Sequence, residues 1–254
     1  MQFRFGKKRP EPLKLRENPP PRVVLCLGLK SSGSTWLYNV AIRILKEAEP
    51  GKGAVRAFFA DNSAMIPDGA EKARVLVIKS HEPSKAILFL TRFARGQVLV
   101  TVREPRDSVA SLMQRFGHPF ESALKDVREG GKHVMALARE RRALVLRYED
   151  GFPDKERTID DVAAFLGVKI SASLRRRIFR SLTREAVQKK IRTLHAGETD
   201  PNAFDPTTQW HPGHVGDGRI GKFKSVLNAA QQRQIAAATK DYAKRFGYGR
   251  PRKK

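Results

Sequence analysis

Short apolar runs alternate with amphipathic segments along most of the chain. Four short, continuous runs are typical of strands that are buried on both faces of a sheet. They cover residues 23–27, 75–78, 98–102 and 143–148. Between and after them, apolar residues recur at the spacing of one helix face. The pattern predicts helices over residues 35–47, 84–93, 105–116, 120–139, 159–166, about 171–194 and 228–246, with an irregular stretch near 197–223.

Strands that alternate with helices indicate βαβ units. The predicted fold class is therefore α/β, a three-layer αβα arrangement around a central, mostly parallel sheet. Ligands of such sheets bind beyond the carboxyl ends of the strands, so the residues that follow each strand are the first candidates for chemistry. A single domain is predicted over residues 22–248, with a basic, proline-rich, flexible leader at 1–21 and a basic tail at 249–254.

The chain is strongly basic. Its 254 residues carry a formal net charge of +24, which attracts nucleic acid, anionic lipid, or phosphorylated and sulfated small molecules. No apolar run approaches the roughly 20 residues that span a bilayer. Cys26 is the only cysteine, which rules out a disulfide within the chain, and no apolar segment follows the basic N-terminus as a secretory signal requires. These features predict a cytoplasmic protein, with peripheral contact to a membrane as an option.

The loop after the first strand has the outline of a phosphate-binding P-loop. Residues 28–35 match G-x-x-x-x-G-K-S/T, except that Ser34 stands in place of the lysine. Two glycines let backbone N–H groups point inward, and the following helix adds the positive end of its dipole. Because a nucleoside triphosphatase uses the missing lysine to reach the terminal phosphates, its absence disfavours ATP or GTP hydrolysis.

Two further strands end in polar residues that suit the same site. His81 follows the strand at 75–78, and its ordinary pKa of about 6.5 lets it accept a proton at neutral pH. Arg103 ends the strand at 98–102, and Ser111 lies two helical turns further along the chain. A guanidinium with a hydroxyl nearby is a suitable pair for a second phosphate.

Read together, these segments resemble the sulfotransferases that use 3′-phosphoadenosine-5′-phosphosulfate (PAPS). The family's first motif, P-K-S-G-T-T-W, corresponds to Lys30-Ser-Ser-Gly-Ser-Thr-Trp36, and its second, K-T-H-x-P, to Lys79-Ser-His-Glu-Pro83. An arginine followed eight residues later by a serine matches Arg103 and Ser111, and the family's Y-E-D and F-L-G segments match residues 148–150 and 165–167. The resemblance covers roughly residues 22–246 in the right order and implies a P-loop NTPase-like fold.

The resemblance also implies a role for each matching residue. His81 would deprotonate the acceptor, Lys30 or Lys79 would stabilise the leaving group, and Arg103 with Ser111 would bind the 3′-phosphate. The product would be 3′-phosphoadenosine-5′-phosphate (PAP), and no metal ion is expected. The residues expected to bind the donor are Lys30, Ser31, Ser32, Gly33, Ser34, Thr35, Trp36, Arg103, Ser111, Tyr148, His214, Gly218 and Arg219.

One departure from the family concerns its catalytic lysine. Counted back from Gly33, that lysine falls on Ser31, while Lys30 stands one residue early. Two explanations follow: Lys30 reaches the leaving group from a shifted backbone, or another cation such as Lys79 takes part of its role.

A second departure lies near the C-terminus. The family often has R-K-G-x-x-G-D-W, whose arginine and lysine clamp the 3′-phosphate. Aligning Phe223 with the tryptophan keeps both glycines but places Gly216 and Asp217 on the basic pair. The candidates to replace that pair are His214, Arg219 and Lys222.

Other functions compete with this interpretation. A P-loop kinase or NTPase-like protein would need magnesium and a carboxylate at a strand end, where Lys79 and Arg103 stand instead. A nucleic-acid-binding module would need aromatic residues interleaved with a basic stripe, whereas the aromatic residues here are mostly phenylalanines at core-like spacing. Nucleic acid is therefore not expected as a partner. A non-catalytic relative of the sulfotransferases is a further alternative.

The acceptor is not encoded in any motif. Three segments, residues 52–70, 115–130 and 195–217, are predicted to be loops on the acceptor side. Two roles are open for their aromatic residues: they line an apolar or sugar-stacking pocket, or they simply pack. These residues are Phe58, Phe59, Phe120, Phe204 and Trp210. The basic surface favours an anionic or membrane-borne glycan or glycolipid whose hydroxyl or amine receives the sulfuryl group.

Overall fold

A five-stranded sheet forms the centre of the protein. The computed structural model describes residues 19–194 and 204–248. The strands are β1 (Arg22–Gly28), β2 (Val55–Phe59), β3 (Val75–Ser80), β4 (Gln97–Val102) and β5 (Ala143–Arg147). They pair in parallel in the order β2-β3-β1-β4-β5. Four of them coincide with the predicted runs, and the predicted three-layer arrangement with a parallel sheet is confirmed.

The fifth strand, β2, corrects the prediction that residues 52–70 are entirely loop. This strand is short and lies at the edge of the sheet, where it pairs only with β3. Arg56 interrupts its apolar residues and donates from its guanidinium to the carbonyl of Asp68 at 2.8 Å. An edge strand needs no continuous apolar run because part of it stays in contact with solvent.

Ten helices cover the sheet within the described residues. They are α1 (Ser34–Ala48), α2 (Lys85–Phe93), α3 (Pro105–Phe116), α4 (Phe120–Leu137), α5 (Arg157–Phe165), α6 (Ala172–Ser181), α7 (Arg184–Leu194), α8 (Phe223–Val226), α9 (Ala229–Ala238) and α10 (Lys240–Phe246). The segment predicted to hold helices near 171–194 contains α6 and α7, whereas the single helix predicted over 228–246 is divided into α9 and α10. One turn of helix, α8, begins at the end of the stretch predicted to be irregular. None of the described helices has the length and apolarity needed to cross a lipid bilayer.

The alternation of side chains along β1 divides the core into two clusters. Leu25 and Leu27 pack with residues of α2, α3, α4, α9 and α10, while Val24 and Cys26 pack with residues of α1, α5, α6 and α7. Each face of the sheet therefore buries its own helical layer, as a parallel sheet requires. The predicted leader and tail fall almost wholly outside the described residues.

The strand order determines where the functional segments meet. The central strand β1 has β3 on one side and β4 on the other. The loops that follow these three strands therefore leave the same edge of the sheet side by side, and they carry the P-loop-like segment, His81 and Arg103. This is the edge at which open α/β sheets bind their ligands.

We expect substitution of Gly28 to destabilise this edge. A Cβ atom at Gly28 would lie 2.0 Å from the hydroxyl of Thr101 on β4, so Gly28→Ala should lower the free energy of unfolding by about 2 kcal/mol through overpacking. The matched control is Gly130→Ala within α4, where the nearest atom is a Leu29 methyl at 3.8 Å. The gain in helix propensity should raise its stability by about 0.5–1 kcal/mol. Urea unfolding measures the free energy of unfolding of both variants. Equal values for the two would contradict the close approach of Gly28 to Thr101.

Candidate active site

The loop between β1 and α1 has the backbone shape of an anion-binding nest. Ser31 and Gly33 both adopt left-handed conformations, with φ of 67° and 85°. The amide of Ser32 donates to the carbonyl of Leu29 at 3.0 Å and closes the turn. No side chain caps the first turn of α1, so its N–H groups and the positive end of its dipole face the loop. Left-handed residues next to an uncapped helix start make a concave array of donors that suits phosphate oxygens.

The side chains of this loop divide between the pocket and the core. Ser31, Ser34 and Thr35 line the pocket described below. The hydroxyl of Ser32 is instead buried against the hydroxyl of Thr101 at 2.6 Å, so it joins the loop to β4. The geometry therefore favours a structural role for the Ser32 side chain over the contact with the sulfuryl donor that the sequence predicted.

Lys79, which is buried, and His81, which is partly buried, form a pair at the end of β3. The Nζ atom of Lys79 lies 3.2 Å from Nε2 of His81, and Nδ1 of His81 faces the carbonyl of Gly28 at 3.4 Å. This arrangement fits a neutral imidazole that donates from Nδ1 and accepts at Nε2. Asp61 holds the loop from behind, since one carboxylate oxygen accepts from the amides of His81 and Glu82, each at 2.9 Å.

Burial shifts the pKa of both members of the pair. Desolvation, followed by the nearby charges of Lys79 and Lys30, lowers the pKa of His81 to about 3. Desolvation also lowers the pKa of Lys79 to about 8, although the charge of Asp61 opposes that change. At neutral pH, His81 is therefore uncharged and able to accept a proton, while most of Lys79 stays positive.

Arg103 is held by backbone carbonyls at the end of β4. Its two terminal nitrogens donate to the carbonyls of Ser31 and Arg219, each at 2.8 Å, and its guanidinium lies 4.3 Å from the ring centre of Tyr148. Its Nε atom is buried without a hydrogen-bond partner. Ser111, on the pocket-facing side of α3, is almost completely buried. Both residues line the same cavity.

A buried carboxylate, that of Asp107, brings residues 216–223, the C-terminal loop, over Arg103 and Ser111. Asp107 accepts from the amide of Gly221 at 2.7 Å and from the amide of Phe223 at 3.0 Å. Arg103 lies on its other side, with Nη2 at 4.0 Å from the carboxylate. Asp107 therefore joins α3 to residues 216–223 and places Gly218, whose carbonyl accepts from the hydroxyl of Tyr148 at 3.3 Å, beside Arg103.

The loop after β1 and the side chains of Lys79, His81, Arg103 and Ser111 line one cavity of about 610 Å³. This volume is typical of pockets that bind small molecules. No aspartate or glutamate belongs to its lining within the described residues, whereas six lysines and arginines do. These cations are Lys30, Lys79, Arg103, Arg115, Arg184 and Lys222.

Unsatisfied polar atoms are concentrated in the same place. Within the described residues, seven buried side-chain nitrogens or oxygens lack a hydrogen-bond partner, and six belong to residues that line the cavity. Buried polar groups in native proteins are nearly always paired, so these atoms indicate a polar ligand. The six are in Ser31, Trp36, Arg103, Arg115, His118 and His214. A nucleotide with several anionic groups fits this set of donors.

Several predicted site residues have other partners. Lys30 lines the pocket, but its Nζ atom forms an ion pair with Asp126 at 2.9 Å. The side chain of Arg219 is 62% exposed, pairs with Asp217 at 3.0 Å and does not line the pocket. The predicted clamping role of Arg219 is therefore not supported; its contribution is the carbonyl that holds Arg103. His214 and Lys222 do line the pocket.

The motifs alone missed some residues of the site. Asp61 and Asp107 bind backbone amides far away along the chain, which no motif records. Arg115 follows Ser111 by four residues, and that spacing would have placed both on one face of α3. Within the described part of the chain, no group of three or more His, Cys, Asp or Glu residues is arranged to hold a metal ion.

Comparison with solved structures shows a shared fold. Mouse sulfotransferase SULT7A1 complexed with PAP aligns over 88% of this chain and 85% of its own, with a TM-score of 0.61 and 14% sequence identity. Retinol dehydratase in a complex with retinol and PAP aligns over 92% and 84%, with a TM-score of 0.61 and 17% identity. The sulfotransferase domain of the Synechococcus PCC 7002 olefin synthase aligns over 99% and 100%, with a TM-score of 0.52 and 16% identity.

Comparison of sequences identifies the family. No curated protein sequence matches the chain. The sequence profile of the sulfotransferase domain, however, matches residues 21–247, nearly the whole described region. The predictions of a P-loop NTPase-like fold and of a PAPS-dependent enzyme are therefore confirmed at the level of the family. The chain belongs to the sulfotransferase family.

Proposed function

We propose that this protein transfers the sulfuryl group of PAPS to a hydroxyl or amine of an acceptor bound in the same cavity, with His81 as the general base. The observation that carries the proposal is the convergence of the loops after β1, β3 and β4 on one pocket. That pocket is lined by cations and unpaired polar atoms but by no described carboxylate. Such a site suits a donor with several negative charges.

The nest and the start of α1 hold the 5′ end of the donor. Bound there, PAPS supplies an electrophilic sulfuryl group and an anionic leaving phosphate. The backbone N–H groups of residues 31–35 and the hydroxyls of Ser34 and Thr35 stabilise the charge that develops on the leaving oxygen. Transfer of this kind resembles phosphoryl transfer, in which positioning and charge stabilisation provide most of the catalysis.

Lys79 is the better candidate for the cation of the reaction. It is buried, and its Nζ atom lies 3.2 Å from the imidazole of His81. Lys30, the residue that stands one position early in the motif, is engaged with Asp126. This difference favours Lys79 as the group that neutralises the leaving phosphate, with Lys30 contributing to the positive potential of the pocket wall.

When Lys79 turns from His81 to the leaving phosphate, Nε2 of His81 is released from its contact with Nζ and accepts the proton of the acceptor. The carbonyl of Gly28 faces Nδ1 and holds the tautomer that leaves Nε2 free of a proton. The nearby cations keep the pKa of His81 low in the free enzyme. An anionic group between Lys79 and Lys30 cancels part of their potential, raises the pKa of His81 and makes it a stronger base.

The nucleotide lies between two sets of side chains. Arg103 and Ser111 bind the 3′-phosphate, and the aromatic rings of Trp36 and Tyr148 line the same pocket beside them. Within the described residues, the indole nitrogen of Trp36 is buried without a partner, which supports a hydrogen bond to the ligand.

Aromatic and apolar residues form the acceptor side of the cavity. Phe59 lies 6.0 Å from the imidazole of His81 between ring centres, next to the position of an acceptor hydroxyl. Retinol dehydratase has been solved with retinol and with androsterone, two molecules that are largely apolar. The aromatic rings of the cavity support an acceptor with an apolar or sugar face. The glycan or glycolipid expected from the basic surface stays a prediction. The cytoplasmic or membrane-peripheral location also stays a prediction. The residues are Phe59, Met65, Phe116, Leu182, Val187, Phe204 and Trp210.

Replacement of His81 should separate binding from catalysis. We expect His81→Asn to lower the transfer rate by about 10²–10⁴-fold, since a general base of this kind contributes that much. PAP affinity, measured by calorimetry, should change less than about threefold because the base does not hold the nucleotide. His133→Asn on α4, outside the cavity, is the control and should retain full activity. Near-normal turnover of His81→Asn would remove His81 from its role as the base.

Ser111 and Ser108 provide a matched pair for the 3′-phosphate site. Both are buried on α3, but only Ser111 lines the cavity. Ser111→Ala should weaken PAP binding by about tenfold, the effect of one hydrogen bond to a charged group, while Ser108→Ala should leave it unchanged. Calorimetric titration with PAP measures both, and equal affinities of the two variants would speak against Ser111 as a phosphate ligand.

The titration of Lys79 should make PAP affinity pH-dependent. Because the pKa of Lys79 is about 8 in the free protein and a bound phosphate raises it, binding takes up a proton above pH 8. Affinity should therefore begin to fall near pH 7.5, be about half its plateau value at pH 8, and fall by up to about tenfold per pH unit above about pH 9. Calorimetry of Lys79→Met should show weaker binding and a flat profile, whereas Lys72→Met at the surface should keep the wild-type slope. A slope that persists in Lys79→Met would assign it to another group.

A further inference from the structure

Two arginines fill space that the C-terminal loop leaves empty. A Cβ atom at Gly216 would lie 2.8 Å from Cδ and 3.2 Å from Nε of Arg115 on α3. A Cβ atom at Gly218 would lie 2.4–2.6 Å from the guanidinium of Arg184 at the start of α7. Side chains from distant helices thus occupy the positions that side chains of this loop would otherwise take.

The positive charge of Arg115 has no counter-ion among the described residues. Its Nη2 atom donates to the carbonyl of Gly213 at 2.7 Å and to that of His214, and Nε is buried without a partner. No described carboxylate lies within 4.0 Å of its guanidinium, whereas Arg184 is paired with Asp154. Burial and repulsion by Arg103 lower the pKa of Arg115 to about 10. A partly buried guanidinium that has no ion pair among the described residues is incompletely neutralised, so this environment favours an anion from a ligand.

Arg115 is positioned to join the proposed phosphate site. It follows Ser111 by one helical turn, and both residues line the cavity. Arg103 is close enough to repel it. Two neighbouring guanidinium groups with a hydroxyl beside them form a wall that a doubly charged phosphate would neutralise.

We propose that Arg115 is a third side chain that binds the 3′-phosphate of the donor, and that it replaces a side chain absent at position 216. The inference rests on the proposed function. In the sulfotransferases that the sequence resembles, an arginine aligns with Gly216. Here the guanidinium comes from α3 and crosses the cavity wall to the backbone of that same position. The positive charge that the family's motif supplies from position 216 is thus supplied here by Arg115 on α3.

The decisive measurement compares two nucleotides that differ in one phosphate. PAP and adenosine 5′-phosphate, which lacks the 3′-phosphate, are titrated calorimetrically into the wild type, Arg115→Met and Arg219→Met. Arg115→Met should weaken PAP binding by about tenfold or more and leave adenosine 5′-phosphate binding within about twofold. Arg219→Met removes an equal charge nearby but outside the cavity and should keep the wild-type ratio of the two affinities.

A second variant pair tests the exchange of positions. Gly216→Arg alone should bind PAP poorly, since its Cβ would overlap Arg115. Combined with Arg115→Ala, which vacates that space, Gly216→Arg should restore at least part of the selectivity for PAP over adenosine 5′-phosphate. A double variant no more selective than Arg115→Ala alone would contradict the exchange.

The outcomes separate this inference from the function on which it rests. A wild-type protein that does not bind PAP overturns the proposed function and the inference together. If the wild type binds PAP but Arg115→Met weakens both nucleotides equally, Arg115 only supports the loop and the inference fails alone. Unchanged PAP affinity in Arg115→Met, with a raised KM for an acidic acceptor, would likewise overturn the assignment to the nucleotide.

Discussion

The need to keep positive charge in the wall of a pocket, with carboxylates held outside that wall, governs this structure. Lys79, Arg103 and Arg115 line one cavity with no described carboxylate in its wall. In isolation such groups lose much of their hydration and repel one another, which is why the pKa values of Lys79 and Arg115 are lowered. On the proposed function, the binding of a highly charged ligand would offset this cost.

Backbone carbonyls and displaced carboxylates make the arrangement stable. The carbonyls of Ser31, Arg219 and Gly213 accept hydrogen bonds from the arginines and fix their orientation while leaving their net charge intact. Asp61 and Asp107 stand behind the wall and bind backbone amides of the loops that carry the site. Acidic residues therefore order the loops, and the cavity itself stays positive.

The sequence predicted those parts of the site that one local segment determines. The runs that became β1, β3 and β4 are apolar because central strands are buried on both faces, and their ends carried recognisable motifs. Strand β2 was missed because an edge strand need not be continuously apolar. His214, Arg219 and Lys222 were predicted to replace the basic pair because they are near it along the chain, and of the three Arg219 lies outside the cavity. Arg115 was not predicted because only the fold shows that α3 approaches the loop at Gly216.

On this inference, a guanidinium that binds phosphate is supplied from a different part of the chain and still lies at the same point of the binding site. A guanidinium on a long side chain needs only a backbone without a side chain to lie against, and Gly216 provides that surface. Asp107 fixes the loop by its amides, which depend little on the side chains that the loop carries. Because the loop is anchored through its backbone, we expect a side chain of the helix beside it to be able to replace its basic residues. The absence of a basic pair at 216 and 217 is, on this argument, no sign that phosphate binding was lost.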